Sequence, residues 1–181
     1  EKMNRDDEYI RRVLSGETKA FSYLIEAYKD MAFNLAVSIV KDDQFAEEAV
    51  QDSFLKAFNG LKSFKGKSKF KSWFYRIVVN ESFQRLRKLK KHLSIVEFKT
   101  IKDQDAGSEQ EKVDTQTEEI NNLLRSLPAN ESLALNLFYL EENSLKDIAD
   151  ITGWTVAYVK VVLHRARKNV RSQYNKRKNN V

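Results

Sequence analysis

Apolar residues return every three or four positions along most of this chain, the spacing that winds them onto one side of an α-helix. Asp6 to Leu14 carries Tyr9, Ile10, Val13 and Leu14 on one side, and Gly16 closes it. Thr18 stands in an N-cap position ahead of a longer helix, Lys19 to Val40. There Phe21, Leu24, Ile25, Tyr28, Ala32, Leu35, Ala36 and Ile39 turn toward a core. Lys41, Asp42 and Asp43 break the pattern. A third helix, Gln44 to Leu61, offers Phe45, Ala49, Phe54, Leu55 and Phe58 to the core, and Asn59-Gly60 signals its end. A fourth, Lys69 to Lys91, aligns Phe70, Phe74, Ile77 and Val78, with Ser72 as its capping candidate. The periodicity then stops. It resumes with Ile120, Leu123, Leu124 and Leu127, ended by Pro128, and again with Leu133, Leu135, Leu137, Phe138 and Leu140. Ser144 caps a short helix from Leu145 to Ile151. Gly153 makes a turn, and Thr155 caps a last helix reaching about Tyr174.

One proline, five glycines and few alternating runs leave little for a sheet to use, so the fold class is all-α. The gap in periodicity splits the chain into two small helical domains, residues 1–92 and 119–181, joined by a flexible linker over 93–118. Charge follows the same division. The first domain carries a net +6, the linker −4 and the second domain +4. Two basic blocks around an acidic one point to two modules that each meet a polyanion. With no cysteine, disulfides and thiolate metal sites are excluded, and a cytoplasmic location fits. No apolar run has the length of a membrane span and no signal peptide is expected, so no membrane insertion is expected either.

The charge is most telling in the fourth helix and its approach. Lys65 to Lys91 holds ten Lys or Arg against one acid, Glu81. Beside the apolar stripe run Trp73, Arg76, Asn80, Gln84, Arg87 and Lys91. An aromatic, two amides and three cations are what stacks a base and holds a phosphate. The third helix shows Glu47, Glu48, Gln51 and Asp52 on another side, which is either a solvated face or an acidic docking surface for a basic partner. Leu145 to His164, LKDIADITGWTVAYVKVVLH, has helix-turn-helix spacing: Ala149 where two helices approach, Gly153 in the turn, Val159 packing back. Its second helix would present Thr155, Ala157, Tyr158, Lys160, Val161, His164 and Arg165 to a major groove, and eight bases without an acid follow from Lys160 onward. His92 and His164 have no ligand set at metal spacing, and no phosphate loop or nucleophile elbow appears, so neither a metal, a cofactor nor an enzymatic activity is expected.

Three stretches together resemble the extracytoplasmic-function sigma factors, the two-domain minimal group of the bacterial sigma-70 family. They are FAEEAVQDSFLKAF (Phe45 to Phe58), FKSWFYRIVVNESFQRLR (Phe70 to Arg87), and Leu127-Pro128 through Arg167, which ends VKVVLHRAR. Their order in one short chain is what makes the likeness specific. The resemblance implies that residues 1–92 dock on core RNA polymerase and recognise and melt the −10 element. It implies that 119–181 reads the −35 element. Glu47, Glu48, Gln51 and Asp52 would belong to the polymerase-docking surface. Lys62, Lys65, Lys67, Lys69 and Lys71, with Trp73, Arg76, Asn80, Gln84 and Arg87, would hold −10 DNA. Thr155, Ala157, Tyr158, Lys160, Val161, His164, Arg165 and Lys168 would contact the −35 duplex. It also implies promoter DNA and an anti-sigma factor as partners, and a linker threaded through polymerase. Two departures limit the transfer of base preference: Val161-Val162 stands where the family often has Ser-Arg, and Gln84 where it often has Asp. Ser132 replaces a common Arg. The main rival is a stand-alone helix-turn-helix regulator, which leaves the first 92 residues unexplained; a nucleic-acid enzyme is a distant second.

Overall fold

A computed structural model describes residues 4–97 and 122–178, and every regular element among them is helical. The first unit comprises α1 (Arg5–Leu14), a 3-10 turn (Thr18–Ala20), α2 (Phe21–Val40), α3 (Asp43–Gly60), a second 3-10 turn (Leu61–Ser63) and α4 (Phe70–Glu97). Helices α2, α3 and α4 pack on one another in every pairing. The expected stripes meet at the centre: Leu24, Leu35, Ile39, Phe54, Phe70, Phe74 and Val78 are buried. Phe74 stacks on Phe54 at an inclination of 29°, with ring centroids 4.6 Å apart, and lies nearly parallel to Phe70 at 5.8 Å. Offset stacking of this kind adds to the large apolar area each ring removes from water. Helix α1 is fastened by Tyr28, whose hydroxyl donates to the buried Asp6 carboxylate at 2.5 Å, and by Tyr9 stacked on Tyr23 at 3.9 Å.

Local signals at the helix ends hold in some places and not in others. Asp42 caps α3 by accepting from the Phe45 amide at 2.9 Å, and Lys41 before it takes a left-handed conformation, φ 65°. Thr18 opens a 3-10 turn and makes no side-chain cap. Helix α4 starts at Phe70, so Ser72 lies inside its first turn; the Lys69 carbonyl accepts from the Ser72 and Trp73 amides instead. Leu55 and Phe58, assigned to the core from spacing alone, are 62% and 37% exposed. Helix α4 also runs to Glu97, past the point where apolar periodicity fades. Of the linker expected over 93–118, residues 93–97 are therefore helical, and 98–118 lie outside the described residues.

The second unit begins with helical residues 122–126 and a break at Pro128. Helix α5 (Ala129–Leu135) widens into a π turn (Asn136–Leu140), followed by α6 (Leu145–Thr152) and α7 (Val156–Lys178). From Glu131 to Leu135 every residue of helix α5 is buried, as befits the central helix of a small domain. Ile148, Ile151, Val159, Val162, Leu163 and Ala166 close the core around it. Ser144 and Asp147 form a reciprocal capping box at the start of α6. Thr155 Oγ1 accepts from the Tyr158 amide at 3.1 Å at the start of α7. Between them Gly153 holds φ 76° with open space where a Cβ would project. A side chain there meets backbone strain without a clash. Gly153→Ala should therefore cost about 1–2 kcal/mol, read as a lower urea midpoint at an unchanged m-value.

The two units touch along a seam formed by α4 against α6 and α2 against α5. On the α2 side, Lys41 Nζ donates to the Leu124 carbonyl at 2.9 Å and to the Ser132 hydroxyl, and Arg125 pairs with Asp43 at 2.6 Å. Burial, aided by the charge of Arg125, lowers the Lys41 pKa to about 8.

Candidate nucleic-acid interface

On α4 the apolar and polar sides separate as the spacing predicts. Phe70, Phe74 and Val78 point inward, while Arg76, Asn80, Gln84 and Arg87 are exposed. Trp73 sits between the two sides, half-buried. Its ring centroid lies 5.2 Å from Phe64 and 5.7 Å from Phe70, so two other aromatics brace it. A braced indole loses little rotamer freedom when a base stacks on it. Lys62, Lys65, Lys67 and Lys69 are exposed in the approach to the helix, and Lys71 is half-buried. Gly66, at φ 65°, bends that approach.

On α3, Glu47 and Gln51 are exposed, but Glu48 and Asp52 both bind Arg85 of α4, Asp52 at 2.7 Å. The acidic ridge is therefore partly neutralised from below. Leu55 shares its exposed side, one turn beyond Gln51 and Asp52. Both Leu55 and Arg85 were missed as members of this surface. For Leu55 the helical offset from Gln51 was a usable signal; for Arg85 nothing in the sequence gives its pairing across helices.

On α7, Thr155, Ala157, Tyr158, Lys160, Val161, His164, Arg165 and Lys168 are all exposed and form one continuous side. Val159, Val162, Leu163 and Ala166 form the packed side. The adjacent valines thus part company: Val162 is 2% exposed and Val161 43%. Tyr158 is steadied edge-on by Trp154 at 5.3 Å, and its hydroxyl accepts from Asn130 at 3.2 Å. Arg167 leaves this face altogether. It donates to the Tyr139 hydroxyl at 2.8 Å and lies 5.7 Å from the Phe138 ring, a packing role.

Among the described residues no group of three or more His, Cys, Asp or Glu is placed to hold a metal ion, and no helix is long and apolar enough to cross a membrane. What the geometry offers is two cationic surfaces of different kinds. The one on α4 has an aromatic and amides suited to unstacked bases. The one on α7 has a small-residue and methyl-bearing helix face suited to base edges in a duplex groove.

Comparison with known proteins matches both halves. The family model described as Sigma-70 region 2 matches residues 24–92, and that described as Sigma-70, region 4 matches residues 117–170. The RNA polymerase sigma factor SigV of Bacillus subtilis (strain 168) is 34% identical over 152 residues, covering 84% of this chain and 89% of that protein. The ECF RNA polymerase sigma-E factor of Haemophilus influenzae is 28% identical over 179 residues, covering 93% and 94%. Among solved structures, the sigma factor RpoE from Bartonella quintana, in complex with the anti-sigma factor NepR, superposes with a TM-score of 0.70. It is 24% identical, and the match covers 87% of this chain and 98% of that one, a likeness of fold.

Proposed function

We propose how this chain works from one premise: it belongs to the sigma-70 family, in the extracytoplasmic-function group of RNA polymerase sigma factors. It binds core RNA polymerase, directs promoter recognition and strand opening, and catalyses no bond chemistry of its own. A cytoplasmic location and an anti-sigma partner follow from the same reading. In it, residues 1–92 and 119–181 act as separate readers on either side of the linker at 93–118. Glu47, Glu48, Gln51 and Asp52, with Leu55 beside them, dock on polymerase. Lys62, Lys65, Lys67, Lys69 and Lys71 neutralise phosphates of the −10 strand. Trp73 stacks an unpaired base, and Arg76, Asn80, Gln84 and Arg87 continue along it. The exposed side of α7 enters the −35 major groove.

The observation that carries this reading is the division of labour between the two cationic surfaces. A stand-alone regulator needs one duplex reader. This chain has in addition an aromatic-bearing surface, which pays off only where bases are already unpaired. Strand opening then comes from differential binding: the melted state is stabilised because only it presents a base to Trp73. The exposed Val161 methyls fit a thymine methyl, which supplies apolar readout at the position where a serine is common in the family.

Run-off transcription from genomic fragments with reconstituted core polymerase tests the reading. Template-dependent transcripts that need the added chain support it. Duplex binding without any polymerase association would favour the regulator. Within the same reading, Arg165→Ala should weaken binding to a −35 duplex about fivefold or more at fixed low salt, and flatten the salt dependence by about one unit. Fluorescence anisotropy with a labelled duplex reads both; an unchanged affinity counts against the docking of α7.

A further inference from the structure

We infer that Asn130, which lies outside the helix-turn-helix, is a positioning residue for −35 DNA: its carboxamide holds the Tyr158 hydroxyl so that the hydroxyl donates to a backbone phosphate at the edge of the groove. This rests on the assignment of α7 to the −35 duplex made above. The first observation is how firmly Tyr158 is held. It stands in the first turn of α7 and is 38% exposed, yet two other segments fix it. Trp154, in the turn, meets its ring edge-on, with centroids 5.3 Å apart and planes at 87°. Trp154 is itself seated by Thr152, whose hydroxyl accepts from the Trp154 amide at 3.2 Å and donates to the Ile148 carbonyl at 2.6 Å. From α5, Asn130 Nδ2 donates to the Tyr158 hydroxyl at 3.2 Å. A ring fixed in this way gives up little rotamer freedom on binding.

The second observation is the polarity of that last bond. A phenol oxygen that accepts from an amide still carries its own proton. Among the described residues no protein acceptor takes it. Asn130 therefore makes Tyr158 an outward donor, and the group that satisfies it lies on the bound duplex.

The position of the hydroxyl selects the phosphate over a base edge. A ring tied back to α5 does not project to the floor of the groove. It stands at the flank of the reading helix, where the sugar-phosphate backbone runs and where tyrosine hydroxyls commonly bond. The first turn of α7 carries no acid, and Lys160 lies two residues farther on, so nothing on this end of the helix repels a phosphate. A bond to a charged oxygen is also the stronger one. Because the donor is neutral, it adds affinity without displacing a counterion, unlike Arg165.

Fluorescence anisotropy with the full chain tests this on two labelled duplexes: a promoter fragment returned by the run-off assay, and a short duplex of unrelated mixed sequence. Tyr158→Phe should bind both about tenfold more weakly, the size of a hydrogen bond to a charged group. Its salt dependence should stay as in wild type, whereas Arg165→Ala flattens it by about one unit. Asn130→Ala should lose about threefold, and the double variant N130A/Y158F should bind no more weakly than Y158F alone, since Asn130 acts only through the hydroxyl. Asn130→Asp has the same shape but accepts the phenol proton in place of donating. It should bind more weakly than N130A, and comparing N130D/Y158F with Y158F subtracts the effect of the added charge. Thermal melts of the same variants separate lost folding from lost positioning. Additive losses in N130A/Y158F, or an N130D that binds as well as N130A after the subtraction, overturn the role of Asn130. A Y158F loss confined to the promoter fragment overturns the phosphate as its target. If Arg165→Ala and Tyr158→Phe both leave affinity unchanged, the −35 reading of α7 falls; if only Arg165→Ala weakens binding, that reading stands and this inference alone falls.

Discussion

Trp73→Ala, in run-off assays on a duplex promoter, should lower open-complex formation by roughly 5- to 150-fold, the equivalent of about 1–3 kcal/mol for one stacked base. Permanganate reactivity of unpaired thymines reads the opening. Binding to a −35 duplex should stay within about twofold, because Trp73 and the α7 face belong to different domains. The indole also braces Phe64 and Phe70, so part of any loss could come from the fold. A pre-melted promoter bubble separates the causes. Loss of stacking lowers affinity for the bubble as well as for the duplex promoter, whereas a thermal melt reports any weakening of the helix packing. Opening that remains intact in this variant would sink the assignment of α4.

Phe74→Ala should remove about 3–5 kcal/mol of stability, the largest loss expected from any single truncation here. Phe74 is fully buried, stacks on both Phe54 and Phe70, and lies 6.1 Å from Tyr28. Its removal leaves a cavity at the meeting point of α2, α3 and α4, where no neighbour can collapse without losing its own contacts. Against a typical total of about 5–15 kcal/mol, that loss leaves the first unit marginal. Urea denaturation followed by far-UV circular dichroism checks it. A midpoint close to wild type would mean that the aromatic cluster is not the centre of this core.

Most of the helical plan is legible in the sequence because each element buries one side and caps its own ends. Phe70, Phe74 and Val78 follow from spacing, and Ser144, Gly153 and Thr155 from the chemistry of helix ends. What could not be read depends on a neighbour. Val161 and Val162 are identical in type and adjacent, and only the position of α5 decides which one is buried. Leu55 looks like core because a periodic apolar residue usually is, yet among the described residues no helix covers that side of α3. Tyr75 and Val79 lie off the apolar stripe of α4 yet are buried, and the Tyr75 hydroxyl bonds Glu141 of the second unit, a partner that spacing within α4 cannot indicate. In the consecutive buried run from Glu131 to Leu137, Leu133, Leu135 and Leu137 follow from the apolar pattern, whereas the burial of Glu131, Ser132 and Asn136 does not, because it depends on the neighbours that enclose this stretch. The candidate site was more legible than its surroundings. Exposed cations and amides announce themselves by type and offset, whereas their being faced by Glu141, Asp147 and Asp150 is a matter of how distant segments fold together.

The seam between α4 and α6 joins two parts of one polypeptide. Forming it is a unimolecular step, so the fraction of chains that hold it is the same whether a cell has few copies or many. A surface supplied by a separate protein would be titrated away as the chain accumulated; a tethered one is never diluted, its local concentration being on the order of millimolar. Only a ligand with differential affinity for one arrangement of the two units changes that fraction.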